Sequence, residues 1–305
     1  MSEIWWDVVG LGENSVDHLL RLPEIPSLAN ATKLEIRSST HEPGGQVVTT
    51  LCTCIAMGLR ASYIGAFGSD EDGERLRRTL AARGLDLGDS VVRPVPNRSA
   101  VVLVDERNGD RVVMGHRDAA LALDPEKLPR SALMHARAVH VDGVDEAASI
   151  AAARVARDAG AYVTCDLESI GAHTGELLRE LTVPILAQGL PEAITGERDP
   201  EQALRRLDAP HAQLRCVTMG AQGALLLEGD RVYRVAAFRV DVVDTTGAGD
   251  VFRGAFIAAL LRGDGPEAIL RFANAAAALS CTKAGALGGV PALEAVERLA
   301  QSSSP

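Results

Sequence analysis

Residues 241–261 read Asp-Val-Val-Asp244-Thr-Thr246-Gly247-Ala248-Gly249-Asp250, then Val-Phe-Arg-Gly-Ala-Phe-Ile-Ala-Ala-Leu-Leu, and the apolar run is closed by Arg262-Gly263. About three apolar turns interrupted only by Arg253, with glycine just past the end, predict a helix buried on nearly every face. The glycine-rich turn and Asp250 then fall at its amino end. Unpaired N–H groups and the helix dipole make such an end an anion site, and glycines let a phosphate approach the backbone. The same field keeps Asp250 ionised, so it can serve as a base beside that anion. Helix capping alone would need one Asp and no close-approach glycines.

Two weaker constellations lie upstream. Gly10-Leu-Gly12-Glu-Asn14-Ser15-Val-Asp17 follows a first apolar strand. It imitates a dinucleotide fingerprint, but Ser15 stands where the third glycine belongs and no acidic residue is clearly placed some 20 positions on. Asp17 sits where the strand ends, the side of a parallel sheet at which ligands bind. Glu42-Pro-Gly44-Gly45-Gln46 opens a second apolar helix running to Gly58. Its two glycines suit close backbone approach, and Gln46 can donate to and accept from a hydroxyl. No Walker A pattern occurs, which excludes the other large phosphate-loop class.

The elements that must carry these residues follow an α/β rhythm. Strands are predicted at residues 4–11, 61–67, 138–141, 162–165, 184–187, 216–219 and 224–227, most separated by helical segments. That alternation implies a parallel sheet with helices on both faces. Residues 32–38 alternate polar and apolar, and 99–105 with 111–114 flank Asn108-Gly109, a strong hairpin turn. These pieces are expected to form a small antiparallel lid, with lid segments about 18–42 and 93–117. No repeat or linker divides the 305 residues, so one large domain is expected.

Composition bounds the rest. Hydrophobic residues are 47% of the chain and aromatics 3%, so Ala, Val and Leu must fill the core. A net charge of −10 argues against nucleic acid or an anionic membrane as the main partner. No apolar run has membrane-span length, and the amino end lacks the basic flank of a secretory leader. The five scattered cysteines point to a reduced, cytoplasmic protein.

Together, Gly10-x-Gly12…Asp17, Gly44-Gly45, Thr218-Met-Gly220-Ala-Gln222-Gly223 and Asp244-Thr-Thr-Gly247-Ala-Gly249-Asp250, in this order, resemble the ribokinase-like (PfkB) carbohydrate kinases over nearly the whole chain. The resemblance implies a three-layer α/β fold, ATP-dependent phosphorylation of a sugar-like hydroxyl, and cytoplasmic homodimers joined through the lid. Asp250 would be the base, with Gly247, Ala248 and Gly249 the anion hole. Asn14, Asp17, Gly44, Gly45, Gln46 and Arg111 would bind substrate, Arg111 also matching an ATP-contacting arginine of ketohexokinase. Thr218, Gly220, Gln222, Gly223, Asn274 and Lys283 would border ATP. Backbone carbonyls of Asp244 and Thr246 would hold K+, and Asp166, Glu168 and Glu192 are the Mg2+ candidates, acting through waters.

Two departures shape the expectation. Gln46 replaces the family's usual Asn after Gly-Gly, and the Asn of the Asn-x-x-Glu element is missing near Gly189-Leu-Pro-Glu192. Ketohexokinase and sulfofructose kinase also lack that element in recognisable form, and the 238–250 run resembles their branch. An arginine that grips the sulfonate in sulfofructose kinase falls at Gly143, so a neutral ketose or related sugar is the first expectation. A nucleoside such as adenosine and 2-keto-3-deoxygluconate are the alternatives. A non-catalytic binding protein and a nicotinamide dehydrogenase complete the set of readings.

Overall fold

The first strand, Trp6–Leu11, is buried at Val8, Val9 and Leu11 because it lies inside a parallel sheet. The computed structural model describes residues 4–25, 35–107, 111–167 and 169–302. Ala61–Ile64, Trp6–Leu11, Ala136–Val141 and Tyr162–Cys165 lie side by side, all parallel. Ile185–Ala187, Leu214–Thr218, Ala224–Glu228 and Arg231–Val235 continue the layer, the last two joined antiparallel. A parallel bridge between Thr164 and Val183 connects the halves. The mostly parallel sheet expected from the alternation is therefore present. The predicted strand over 61–67 is split at Gly65 into Ala61–Ile64 and Ala66–Gly68, the latter pairing with Val91–Arg93.

Alternate strand residues feed the two faces. Val9, Leu11, Val139, Val141 and Val163 pack with the helix Glu146–Asp158. Val8 and Ala138 pack on the other face with the helix Gln46–Ala56. Beside that helix lies Ala248–Arg262, and Pro266–Ser280 packs against Ala248–Arg262 in turn. The 248–262 helix is buried continuously from Val251 to Leu261, as its apolar sequence requires.

The lid is a separate four-stranded sheet in the order Ser38–Gly44, Ser15–Leu22, Ser99–Asp105, Arg111–His116. It corrects the expectation in three ways. Its outer pairs are antiparallel, but the central pair, Ser15–Leu22 with Ser99–Asp105, is parallel. Residues 15–22, overlapping the expected lid segment but assigned no strand, form one of its inner strands. Of the strand predicted at 32–38, residues 35–37 lie outside the strand Ser38–Gly44, which holds Pro43 because it is an edge strand. Residues 32–34 and the Asn108-Gly109 turn lie outside the described residues. Among the described residues no helix is long and apolar enough to cross a membrane.

Candidate active site

Gly247 caps the helix Ala248–Arg262 in a left-handed conformation, φ 76°, and the Val251 amide donates to its carbonyl at 2.9 Å. A Cβ there would lie 2.7 Å from the Ala286 Cβ, so glycine is required by both conformation and space. Asp244 fastens the preceding loop. Its Oδ1 accepts from the Thr246 amide at 2.9 Å and the Thr246 hydroxyl at 2.7 Å, and its Oδ2 accepts from the Gly285 amide at 3.0 Å. The carboxylate is buried, so it anchors the turn from beneath. Thr246, Gly247, Ala248, Gly249 and Asp250 remain partly accessible. This cradle fits a phosphate, because small residues surround a helix end with first-turn amides facing outward.

The second helix end is brought alongside. The Thr50 hydroxyl donates to the Asp250 carbonyl at 3.2 Å, and Cys54 Sγ lies 3.5 Å from the Gly254 carbonyl. Contacts that advance four residues on both helices mean that they run parallel, with both amino ends together. Gly254 allows this approach, since a Cβ there would meet Thr53 Cβ at 2.5 Å and the Thr50 carbonyl at 2.6 Å. Gly45 caps the helix Gln46–Ala56 with φ 107°, and its missing Cβ would strike Asn14 Cα at 2.7 Å. Gly44 is closed off in turn by Asp17, whose Oδ2 would stand 2.4 Å from its Cβ. Asp17 Oδ1 accepts a 2.5 Å bond from Ser15. The structure thus brings Asn14, Asp17, Gly44, Gly45 and Gln46 to the 247–250 turn.

Asn14 is buried, and its amide nitrogen donates to Tyr63 Oη at 2.9 Å and to the Ala66 carbonyl at 2.8 Å. Asp142, not anticipated from the sequence, follows the strand Ala136–Val141. Its oxygens accept from the Glu13 amide at 2.6 Å and the Val144 amide at 3.0 Å, and it stands where a Cβ of Gly12 would be. Burial pushes its carboxyl up to about 7, against the pull of those two N–H bonds. Asp142 lines a cleft of about 310 Å³ together with Gln46, Glu146, Ser169 and Thr174. The missed signal was a carboxylate one position past a strand of the parallel sheet.

The remaining candidates are more dispersed. Thr218 ends the strand Leu214–Thr218, followed by a tight turn in which Gly220 and Gln222 are exposed. Gly223 (φ 90°) is buried, with no room for a Cβ beside the Val235 carbonyl. Asn274 is buried and its amide nitrogen serves the Val235 and Ala236 carbonyls at 2.9 and 3.3 Å, which ties helix to strand. Lys283 is exposed. Arg111 lies on a lid strand, and its side chain is outside the description.

Of the magnesium candidates, Glu168 lies outside the described residues. Glu192 is exposed, with Arg198 at 3.8 Å. Asp166, expected near a metal, is instead bound to Arg253 at 2.8 Å, both residues buried. Among the described residues no three acidic, histidine or cysteine side chains gather as a metal cluster.

Two helix ends meeting at the carboxyl edge of a parallel sheet, one built for an anion and one for a hydroxyl-bearing molecule, define a small-molecule phosphotransferase. The chain belongs to the pfkB family of carbohydrate kinases, whose model matches residues 7–293. It is 26% identical to fructokinase-1 of Oryza sativa subsp. japonica, over 97% of this chain and 98% of that protein. It is 30% identical to an ATP-dependent ribose-1-phosphate kinase of Halopiger xanaduensis, over 92% and 93% of the two chains. The fold superposes on the ribokinase of Thermotoga maritima with a TM-score of 0.85 at 22% identity, covering 98% of this chain and all of the other. The chain is therefore a sugar or nucleoside kinase, an enzyme that phosphorylates an alcohol group.

Proposed function

We propose that the chain transfers the γ-phosphate of ATP to a hydroxyl of a neutral ketose or related sugar, close to the ketohexokinase branch. The observation that carries this reading is Asp250 in the first turn of the Gly247-capped helix, tied through Thr50 to the helix whose first residue, Gln46, lines the Asp142 cleft. Among the described lining residues of that cleft there is no basic side chain. An acceptor whose far end is a hydroxyl suits these acids and amides better than a sulfonate, phosphate or carboxylate would.

Phosphoryl transfer asks mainly for positioning and charge stabilisation. Asp17 and Gln46 hold the acceptor, and Asn14 braces the loop beneath it. Asp250 takes the hydroxyl proton, and the amides of Gly247, Ala248 and Gly249 receive the transferring phosphate. Thr218, Gly220, Gln222, Gly223, Asn274 and Lys283 border the nucleotide, and Arg111 is assigned to the substrates from its place on a lid strand. Mg2+ bound with ATP would supply neutralisation of phosphate charge, and Glu168 and Glu192 are the residues left that would hold it through waters. The Asp244–Thr246 loop is the candidate K+ position through its backbone carbonyls. A nucleoside or 2-keto-3-deoxygluconate acceptor is the second reading, because similar proteins are named for different acceptors, a fructokinase, a ribose-1-phosphate kinase and a nucleoside kinase among them.

We further infer a cytoplasmic homodimer joined through the lid. Val101, Leu103, Val112 and Met114 share one lid face by register, and Val112 and Met114 are 41% and 51% exposed. An ATP-consumption screen over ketoses, aldoses, sugar acids and nucleosides tests the function. Turnover with a neutral ketose is expected, and no phosphorylated product from any acceptor would overturn it.

A further inference from the structure

Arg253 lies on a helix whose neighbours Val251, Phe252, Ala255 and Phe256 are all buried apolar residues. It is itself only 3% exposed, and its partner Asp166 only 2%. An ion pair so deeply buried loses its hydration, and apolar residues of similar size often replace such pairs without loss of stability. Three buried neighbours, His140, Cys165 and Cys216, feel its charge. Burial, then the Arg253 charge, hold His140 down at about 3, so its ring stays neutral. Burial pushes the Cys165 thiol up to about 12 and raises Cys216 as well, so both stay protonated.

The direction of the side chain gives the charge a use. Helical side chains lean back toward the amino end, and Arg253 is one turn after Asp250. Its Nη1 lies 2.8 Å from where a Cβ of Gly249 would be, so the guanidinium packs directly under the anion-hole backbone. Gly249 is therefore glycine partly because Arg253 fills the space. Nη2 is gripped by Asp166 Oδ1, which prevents the fork from swinging away. Among the described residues Asp166 Oδ2 and Arg253 Nε have no hydrogen-bond partner, which leaves the Nη2–Oδ1 contact to hold the pair.

We propose that Arg253, clamped by Asp166, is a positioning residue for phosphoryl transfer: it underpins the Gly249 turn, gives the anion hole a fixed positive charge, and keeps Asp166 from serving as a metal ligand. The inference rests on the kinase reading above. It concerns the transition state more than the bound substrates, because the guanidinium is sealed from solvent and touches neither directly.

The test compares Arg253→Met, Arg253→Lys, Asp166→Asn and the double variant Arg253→Met/Asp166→Leu by steady-state kinetics, thermal melting and Mg2+ titration. Arg253→Met should lower kcat by about tenfold or more, with both KM values moving much less, since small misplacements near the chemistry are costly. The double variant should melt near the parent yet keep the low kcat, while Arg253→Lys recovers part of it. A double variant with parental kcat would make the pair purely structural and overturn the proposal. An Asp166→Asn variant needing about tenfold more Mg2+ would place that carboxylate on the metal, with the same result. Failure of the kinase reading is seen separately, as a parent protein idle with every acceptor.

Discussion

The Thr50 hydroxyl donates to the backbone carbonyl of Asp250 at 3.2 Å, which fixes the acceptor-side helix to the phosphate-side helix at the level of the candidate base. The two helix ends of the proposed site are therefore held to each other by a helix–helix seam, a rigid support for positioning two reactants.

Asp250→Asn tests the base. Asn preserves size and leaves the 247–249 amides in place, so ATP and acceptor binding should change little. Loss of the proton acceptor should reduce kcat by about 10²–10⁴-fold. If Asp250 were only a cap, Asn would serve as well, and turnover above half of the parent's would select that reading.

Gly247→Ala tests the cradle. A left-handed φ of 76° and a Cβ 2.7 Å from Ala286 Cβ make the substitution strained twice over. A stability loss of about 1–3 kcal/mol is expected, read by thermal melting. Calorimetric titration with ADP should show weakened binding as the turn shifts, and unchanged affinity would remove the turn from the phosphate site.

Asp142 should leave a signature in stability against pH. Its carboxyl is raised to about 7 from an ordinary value of 3.8, so the folded state holds a proton that the unfolded chain has lost in that window. The sign follows: this contribution is full below about 4 and is lost as pH rises toward 7. Denaturant unfolding of Asp142→Asn across this range should show a flatter curve than the parent. Identical slopes would mean that the two backbone N–H bonds keep Asp142 ionised.

Light scattering at micromolar concentration should give a dimer, and Met114→Glu, on the exposed apolar lid face, should shift it toward monomer. A monomeric parent would remove the dimer and leave the lid sheet as described.

The most legible segments were those where one local rule sufficed. The apolar run after Gly247 and its closure by Gly263 mark the helix Ala248–Arg262 to within a residue. Gly44-Gly45-Gln46 similarly announced the helix Gln46–Ala56. The lid was less legible because its pairing is non-local. Ser15–Leu22 joins Ser99–Asp105 across some eighty residues, and Ser38–Gly44 is mostly polar with a proline, which reads as a turn until its edge position is known. Asp142 and the Asp166–Arg253 pair were missed for a related reason: each depends on strand neighbours far apart in the chain. Arg253 did carry a signal, since a lone charge inside a buried helix requires a partner.

The lid strand Ser15–Leu22 leaves the main sheet through Gly12, Glu13 and Asn14, and that exit rests against Gly45, whose Cβ position is 2.7 Å from Asn14 Cα. The connection from the main sheet into the lid and the proposed acceptor contacts therefore share one short, tightly packed stretch, so a side chain added at Gly12 or Gly45 would disturb both at once.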